Sequence, residues 1–172
     1  MTTHPDPRFQ AAADTPAGQL ARQLYGLASV RRELGKVANA ELPGHGFGAL
    51  VSVRKREHAR VSDIAADLQV DLSVASRQIA GLVAAGLVER QPDPADGRAH
   101  VLALTDAGIT ALRAAFLEMV ARLDQSLADW APEEITQLAA GLERLATSFN
   151  AVAATSADAD ADTDSADQEV AA

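Results

Sequence analysis

The fold of this chain is decided by the stretch VSDIAADLQVDLSVASRQIAGLVAAGLVERQPDPADGRAHVLALT, which runs from residue 61 to residue 105. Its first half predicts two short helices joined by a turn at residues 69–71, with Ser62 and Asp71 as the residues that cap them. Gly86 predicts the end of the second helix, because glycine takes the left-handed backbone at little cost. Two short strands follow, and the Pro-rich segment QPDPADGR between them predicts a hairpin loop. This order of parts is that of a helix-turn-helix with a wing.

The composition limits the class of protein. With 172 residues, of which 48% are hydrophobic, the chain has enough apolar surface for one domain with a core. Abundant Ala, Leu, Arg and Glu favour helices, so we expect a mainly helical fold. No run of about eighteen apolar residues predicts a membrane span, and the N-terminus lacks the apolar segment of a signal peptide, so we expect a cytoplasmic protein. Because Cys is absent, disulfides, thiolate metal sites and a cysteine redox switch are excluded.

The net charge of −9 disfavours an acidic partner such as nucleic acid, but most of that charge lies in one tail. Six acids and no base lie in residues 151–172, which leaves a net charge of −3 for the rest of the chain. Residues 54–100 hold seven bases and seven acids and are neutral. Attraction to phosphates would therefore depend on local clusters such as Arg54, Lys55 and Arg56, whose other interpretation is a solvated helix end.

Three longer segments outside the deciding stretch carry narrow apolar stripes at helical spacing. The stripes consist of Leu20, Leu24, Leu27, Leu34 and Val37; of Ile109, Leu112, Phe116, Met119 and Leu123; and of Ile135, Leu138, Leu142, Leu145 and Phe149. One small core does not need three such seams, so they indicate helix–helix contacts with a partner, most simply a second copy of the chain.

A helix-turn-helix with a wing is a device for placing one helix in a DNA groove. Without the wing, two ordinary core helices would explain the pattern equally well. The hairpin changes this balance, because its stiff tip ends in Arg98, and a guanidinium at such a tip is suited to a narrow minor groove. The alternative for Asp96 and Arg98 is a local ion pair that shapes the hairpin.

Residues 16–150 resemble the MarR family of winged helix-turn-helix transcriptional regulators. The resemblance is carried by GLVER after the second helix (residues 86–90), by the D-x-R pattern of residues 96–98, and by the LT-x-x-G pattern that closes the second strand (residues 104–108). It implies a homodimer in which the first and last helices interlock, with each winged helix facing half of a near-palindromic operator on double-stranded DNA. Relatives often carry a second basic residue where this chain has Gly97, which implies a weaker contact from the wing.

The residue patterns and the resemblance together predict a division of the chain, and the resemblance implies a mode of action. The division has a flexible arm over residues 1–15, a dimerisation helix over 16–44, a winged helix-turn-helix DNA-binding domain over 45–105, dimerisation helices over 106–150 and a disordered acidic tail over 151–172. The implied function is that of a repressor that a small-molecule effector releases from DNA, in many relatives a phenolic or other aromatic compound. One alternative stays open, a winged helix that binds another protein and has no operator of its own.

The second helix of the motif, the recognition helix, supplies most of the DNA contacts that the resemblance predicts. Arg77 is suited to a bidentate contact with guanine or to a phosphate, Gln78 to adenine, and Val74 to a thymine methyl group. Ser76 is interpreted equally well as a DNA contact or as a boundary residue that bonds locally.

Phosphates and the wing account for the remaining predicted contacts. Ser62 and Ser73 lie near helix starts, where the backbone N–H groups favour anions. From the wing we expect Arg98 to reach the DNA, with Asp96 and Gly97 shaping the tip.

No motif for catalysis or metal binding accompanies this pattern. The four His residues, at positions 4, 45, 58 and 100, include no pair at the i, i+3 or i, i+4 spacing of a helical metal site. The chain lacks G-x-S-x-G, a phosphate-binding glycine loop and H-E-x-x-H. We therefore expect neither an enzyme nor a bound metal or cofactor.

Overall fold

The computed structural model describes residues 7–56, 58–93 and 100–169. Its elements, in chain order, are α1 (Pro7–Ala13), α2 (Pro16–Ala38), a 3-10 turn (Pro43–His45), α3 (Phe47–Arg54), α4 (Val61–Leu68), α5 (Leu72–Ala84), β1 (Val88–Pro92), β2 (His100–Leu104), α6 (Asp106–Ser126) and α7 (Pro132–Glu169). The two strands form one antiparallel sheet. The predicted fold class, mainly helical with a small β-wing, is confirmed.

The core lies within the first of two compact units, Met1–Asp124 and Gln125–Ala172. Large apolar side chains from α3, α4, α5 and both strands pack together there. The central ones are Leu50, Ile64, Ile79, Leu82, Val88 and Leu102. Burying each such side chain stabilises the fold by about 1.5–3 kcal/mol, so this cluster holds the helix-turn-helix against the hairpin.

The start of α4 differs from the prediction. Arg60, and not Ser62, occupies the N-cap position, and the carboxylate of Asp63 accepts a hydrogen bond from the backbone N–H of Arg60 at 2.8 Å. The reason is that Ala59 pairs with Leu102 of β2, which keeps the chain extended up to residue 60 and lets the helix begin directly afterwards. Ser62 lies exposed inside the first turn.

The turn between α4 and α5 and the end of α5 both rely on left-handed backbone. Gln69 has a φ of 53° and ends α4, an uncommon conformation for a residue other than glycine. Gly86 has a φ of 70°, and Leu87 N–H donates to Leu82 O at 2.9 Å, which closes α5. The predicted helix stop at Gly86 is thus confirmed. Asp71 occupies the N-cap position of α5, but its side chain makes no capping hydrogen bond.

The hairpin pairs Val88 with Leu104 at one end and Pro92 with His100 at the other. After β2, the hydroxyl of Thr105 accepts from Gly108 N–H at 3.0 Å and donates to Gly86 O at 2.6 Å. This side chain therefore caps α6 and also joins it to the end of the recognition helix.

The two ends of the chain contain more helix than predicted. A loose arm is predicted over residues 1–15, whereas α1 covers Pro7–Ala13, and α7 continues through Glu169 where a disordered tail is predicted from residue 151. Both segments are rich in Ala, the strongest helix former. Within the part of the chain that the structure describes, no helix is long and apolar enough to cross a membrane.

Candidate nucleic-acid interface

One face of α5 is open to solvent along the whole helix. It is formed by Leu72, Ser73, Ser76, Arg77, Ala80 and Ala84. Apart from Leu72 and Arg77, these side chains are small, so another surface can approach the helix backbone closely. Such a face is what a helix lying in the major groove requires.

Arg77 is the cation of this face. It is exposed, and no hydrogen bond or ion pair joins it to any of the described residues. Its guanidinium therefore has all its donors available for a base edge or a phosphate. Ser73 and Ser76, one turn apart or less from Arg77, are exposed on the same side.

Val74 and Gln78 lie away from this open face. Both are half-buried, because the 3-10 turn packs against this side of α5. A Cβ added to Gly81 would lie 3.9 Å from Pro43 Cβ, and one added to Gly44 would lie 4.0 Å from Gln78 Cα. The Oε1 atom of Gln78 is buried without a hydrogen-bond partner among the described residues. Contacts of these two side chains with DNA stay predictions.

Leu72 is a large apolar side chain on the open face of α5, and it is 58% exposed at the start of the helix. An apolar side chain at this place is suited to a thymine methyl group, the role that the sequence assigned to Val74.

The three residues of the basic cluster at the end of α3 have different surroundings. The guanidinium of Arg56 binds both carboxylate oxygens of Asp67, through Nη1 to Oδ2 and through Nη2 to Oδ1, the latter at 2.8 Å, and the hydroxyl of Ser52 also donates to Asp67. Arg56, together with Ser52, lowers the pKa of Asp67 to about 2. Arg56 therefore joins α3 to α4, while Arg54 and Lys55 are exposed and remain candidates for phosphate contact.

The remaining predicted site residues divide into two sets. Ser62 and Ser73 are exposed in the first turns of α4 and α5, where both hydroxyls lie beside helix N-termini. The wing-tip residues Asp96, Gly97 and Arg98 lie outside the described residues, and their predicted roles stay predictions.

A cavity of about 510 Å³ lies between the end of α2, the exit from α5 and the middle of α6. Its walls are mainly apolar, with Val37, Leu87 and Ala115 among the contributors and Glu41 and Glu118 as the acidic ones. This volume falls in the range of about 300–1,000 Å³ that is usual for small-molecule sites. Because Leu87 directly follows Gly86, one wall of the cavity continues into the recognition helix.

Comparison with known proteins finds similarity to the MarR family and to transcriptional regulators of the helix-turn-helix type. A family model described as MarR family matches residues 46–100. Among curated relatives, the HTH-type transcriptional regulator YxaD of Bacillus subtilis (strain 168) is 34% identical over 91 residues, which are 53% of this chain and 64% of that protein. Apo MarR from E. coli superposes with a TM-score of 0.63 at 22% identity, over 73% of this chain and 96% of that one. A MarR family protein from Bacillus stearothermophilus superposes with a TM-score of 0.66 at 18% identity, over 78% of this chain and 95% of that one.

The helix-turn-helix, the hairpin after it and the open face of α5 define a winged helix-turn-helix protein. Within this class, the predicted resemblance to the MarR family is confirmed by the family model over residues 46–100, and the fold is that of solved MarR proteins. The curated relative that the chain resembles is described as a transcriptional regulator.

Proposed function

We propose that this protein is a cytoplasmic DNA-binding transcriptional regulator of the MarR type. The observation that carries the proposal is the open face of α5, where small side chains surround the unengaged cation Arg77. Ser62 and Ser73 add hydroxyl groups at two helix N-termini, where phosphate oxygens bind favourably. In this arrangement α5 enters the major groove and the two serines hold the adjacent backbone.

The active form is proposed to be a homodimer. On α2, Leu20, Leu27 and Val30 are exposed, and on α7 the same is true of Leu142 and Phe149. Each of these helices thus leaves an apolar stripe uncovered in a single copy of the chain, and a second copy is the simplest cover. Two recognition helices related by a two-fold axis would read a near-palindromic operator with half-sites about one helical turn apart.

Repression that a ligand relieves is supported by the cavity beside Leu87. A molecule in this cavity contacts α2 and α6 on one side and the exit of the recognition helix on the other. Occupancy would change the distance between the two recognition helices only if the ligand binds the DNA-free arrangement more tightly. A small-molecule effector in the cavity would then release the operator.

A winged helix that binds another protein is the second candidate. Two observations favour it: the 58% exposure of Leu72 on the recognition helix and the electrical neutrality of residues 54–100. Salt dependence separates the candidates, because counterion release gives a log–log slope of about −0.9 for each phosphate contact.

The test is a titration of the purified protein against labelled DNA from upstream of its own gene, in the presence of excess unrelated DNA. A DNA-binding regulator retains its complex against the competitor and loses affinity steeply as salt rises from low to near-physiological concentration. Binding that the competitor abolishes, with no enriched duplex from a random-sequence pool either, would contradict the proposal and favour the protein-binding candidate.

A further inference from the structure

The base of the wing is attached to the helix-turn-helix by two adjacent contacts. Leu102 N–H in β2 donates to Ala59 O at 2.7 Å, which adds residue 59 to the sheet as an isolated bridge. The next residue, Arg60, pairs through Nη2 with Oδ2 of Asp93 at 2.5 Å. The two partners of this ion pair are 33 residues apart in the chain. One short segment before α4 therefore contacts β2 and the residue that directly follows β1.

The ion pair is unusual in its burial. Asp93 is 5% exposed, whereas the side chain of Arg60 is 52% exposed. Taking a carboxylate out of water is costly unless a cation and hydrogen bonds compensate for the lost solvation. Such a pair contributes little net stability compared with an apolar pair, but it restricts the geometry of the groups that it joins.

The backbone of Arg60 is fixed by hydrogen bonds at the start of α4. Its backbone N–H donates to Asp63 in the first turn of α4, and the residue before it is bonded into the sheet. The side chain therefore extends from a point whose position is set by α4. Whatever Arg60 holds is held relative to the helix-turn-helix.

Asp93 directly follows a strand, β1, that has little contact with the core. The strand enters the core at Val88, which is 2% exposed, but Glu89, Arg90, Gln91 and Pro92 are all exposed. Beyond Val88, β1 thus has no apolar side chain in the core, and Asp93 is the next buried residue. The pair therefore joins the chain just beyond β1 to the segment that begins α4.

We propose that Arg60 and Asp93 are positioning residues for DNA binding: their ion pair sets the angle of the wing relative to the recognition helix. This inference rests on the proposed function, because it concerns how two DNA-contacting elements are kept in one geometry. With the pair intact, the wing and α5 meet the duplex together. With the pair removed, the protein stays folded but loses part of its preference for its own operator.

Direct contact of Arg60 with a phosphate is the competing explanation, since half of its side chain is exposed. The variant Asp93→Asn separates the two, because it removes a negative charge and leaves every cation in place. A phosphate contact predicts equal or tighter DNA binding for this variant. Positioning predicts weaker specific binding, by about tenfold, which is the usual size of coupling between residues in contact.

The experiment measures the affinity of the full chain for a duplex that the wild-type protein has enriched from a random-sequence pool, and for an unrelated duplex of equal length. Variants are Asp93→Asn, Arg60→Gln, the double variant, and Glu89→Gln as the matched control. Glu89 is exposed on β1, four residues before Asp93, and its change removes the same charge. Thermal unfolding of each variant verifies that it is folded.

The expected result is that each single variant loses affinity for the enriched duplex only, that the double variant loses no more than either single one, and that Glu89→Gln binds at least as well as wild type. Wild-type affinity of folded Asp93→Asn, or additive losses in the double variant, would overturn the positioning role. If the wild-type protein enriches no duplex, the proposed function itself fails, and the positioning role fails with it.

Discussion

At the scale of single residues, Arg77 is the side chain on which we expect specific DNA binding to depend most. It is exposed on the open face of α5 and engages none of the described residues, so its removal costs the fold little. We expect Arg77→Ala to weaken operator binding by about 1–3 kcal/mol, the value of one bidentate contact with a base. The measurement is a competition titration with operator and unrelated DNA. Arg113→Ala, which removes an exposed cation from α6, is the matched control, and equal losses in the two variants would contradict a specific role.

The stability of the fold depends on pH through the pKa of Asp67. Because Arg56 and Ser52 hold the ionised carboxylate, its pKa in the folded protein is lowered to about 2. A lowered pKa means that the stabilisation is fully present above the ordinary pKa of an Asp, about 4, and is lost as the pH falls through about 2. The contact between α3 and α4 therefore weakens in acid.

Asp67→Asn tests this pH dependence. We expect the variant to unfold at a lower temperature than wild type at neutral pH, and the difference between the two proteins to shrink as the pH falls from about 4 to about 2. Thermal unfolding followed by circular dichroism across this range is the measurement. Asp129→Asn, at an exposed position in the second unit, provides the control. A constant difference at every pH would show that the charge of Asp67 is not the cause.

At the scale of elements, α6 packs closely against the end of α5 at Gly108. Among the described glycines, this is the one where an added Cβ would meet another atom at the shortest distance. A Cβ added to Gly108 would lie 1.9 Å from the backbone oxygen of Leu87, a distance that only backbone movement relieves. The same region holds the hydrogen bonds of Thr105 to Gly86 and Gly108. The first turn of α6 is thus seated on the backbone that ends the recognition helix.

Gly108→Ala is expected to destabilise the first unit, although alanine is the better helix former. Gly141→Ala in α7 is the matched control, because no atom lies within 4 Å of the added Cβ. There we expect a gain of up to about 1 kcal/mol from helix propensity. Free energies of unfolding from urea titrations give both values. A stabilising effect of Gly108→Ala would contradict the close approach of α6 to Leu87.

At the scale of the whole molecule, the uncovered stripes predict that assembly and function are linked. Leu142 is 42% exposed on α7, and Leu138 and Phe149 of the same helix are exposed as well. We expect Leu142→Glu to convert dimers into monomers, because the new charge would be buried against the partner. Light scattering after gel filtration measures the mass. Gln137→Glu, an equally acidic change at an exposed polar position of α7, should leave the mass unchanged, and an unchanged mass for Leu142→Glu would contradict this interface.

The cavity beside Leu87 predicts how a ligand and DNA influence each other. A compound that raises the unfolding temperature by filling the cavity should lower operator affinity, and the operator should lower the affinity for the compound by the same factor. Ala114→Phe places a ring at the cavity wall and should abolish both effects without loss of DNA binding. Calorimetry with and without operator measures the two affinities. Binding of the compound that Ala114→Phe leaves unchanged would place the effector elsewhere.

Local features were determined by the sequence itself. The helix stop at Gly86, the cap at Thr105, the two strands and the order of the winged helix-turn-helix follow from side chains that act on backbone within a few residues. At these positions the backbone conformation and the capping depend mainly on nearest neighbours. The same holds for the apolar stripes of the long helices, which the sequence shows at helical spacing.

The orientation of these elements was decided only by the tertiary structure. The 3-10 turn packs beside Gln78, Leu72 is exposed, and Arg60 reaches Asp93 across 33 residues. The bridge of Ala59 to Leu102 moved the start of α4 away from Ser62. Helical periodicity defines an apolar face but not which neighbour covers its edges. That choice depends on contacts between segments that are distant in the chain. The sequence therefore located the recognition helix with its exposed Ser73, Ser76 and Arg77, but it did not reveal that Val74 and Gln78 are half-buried.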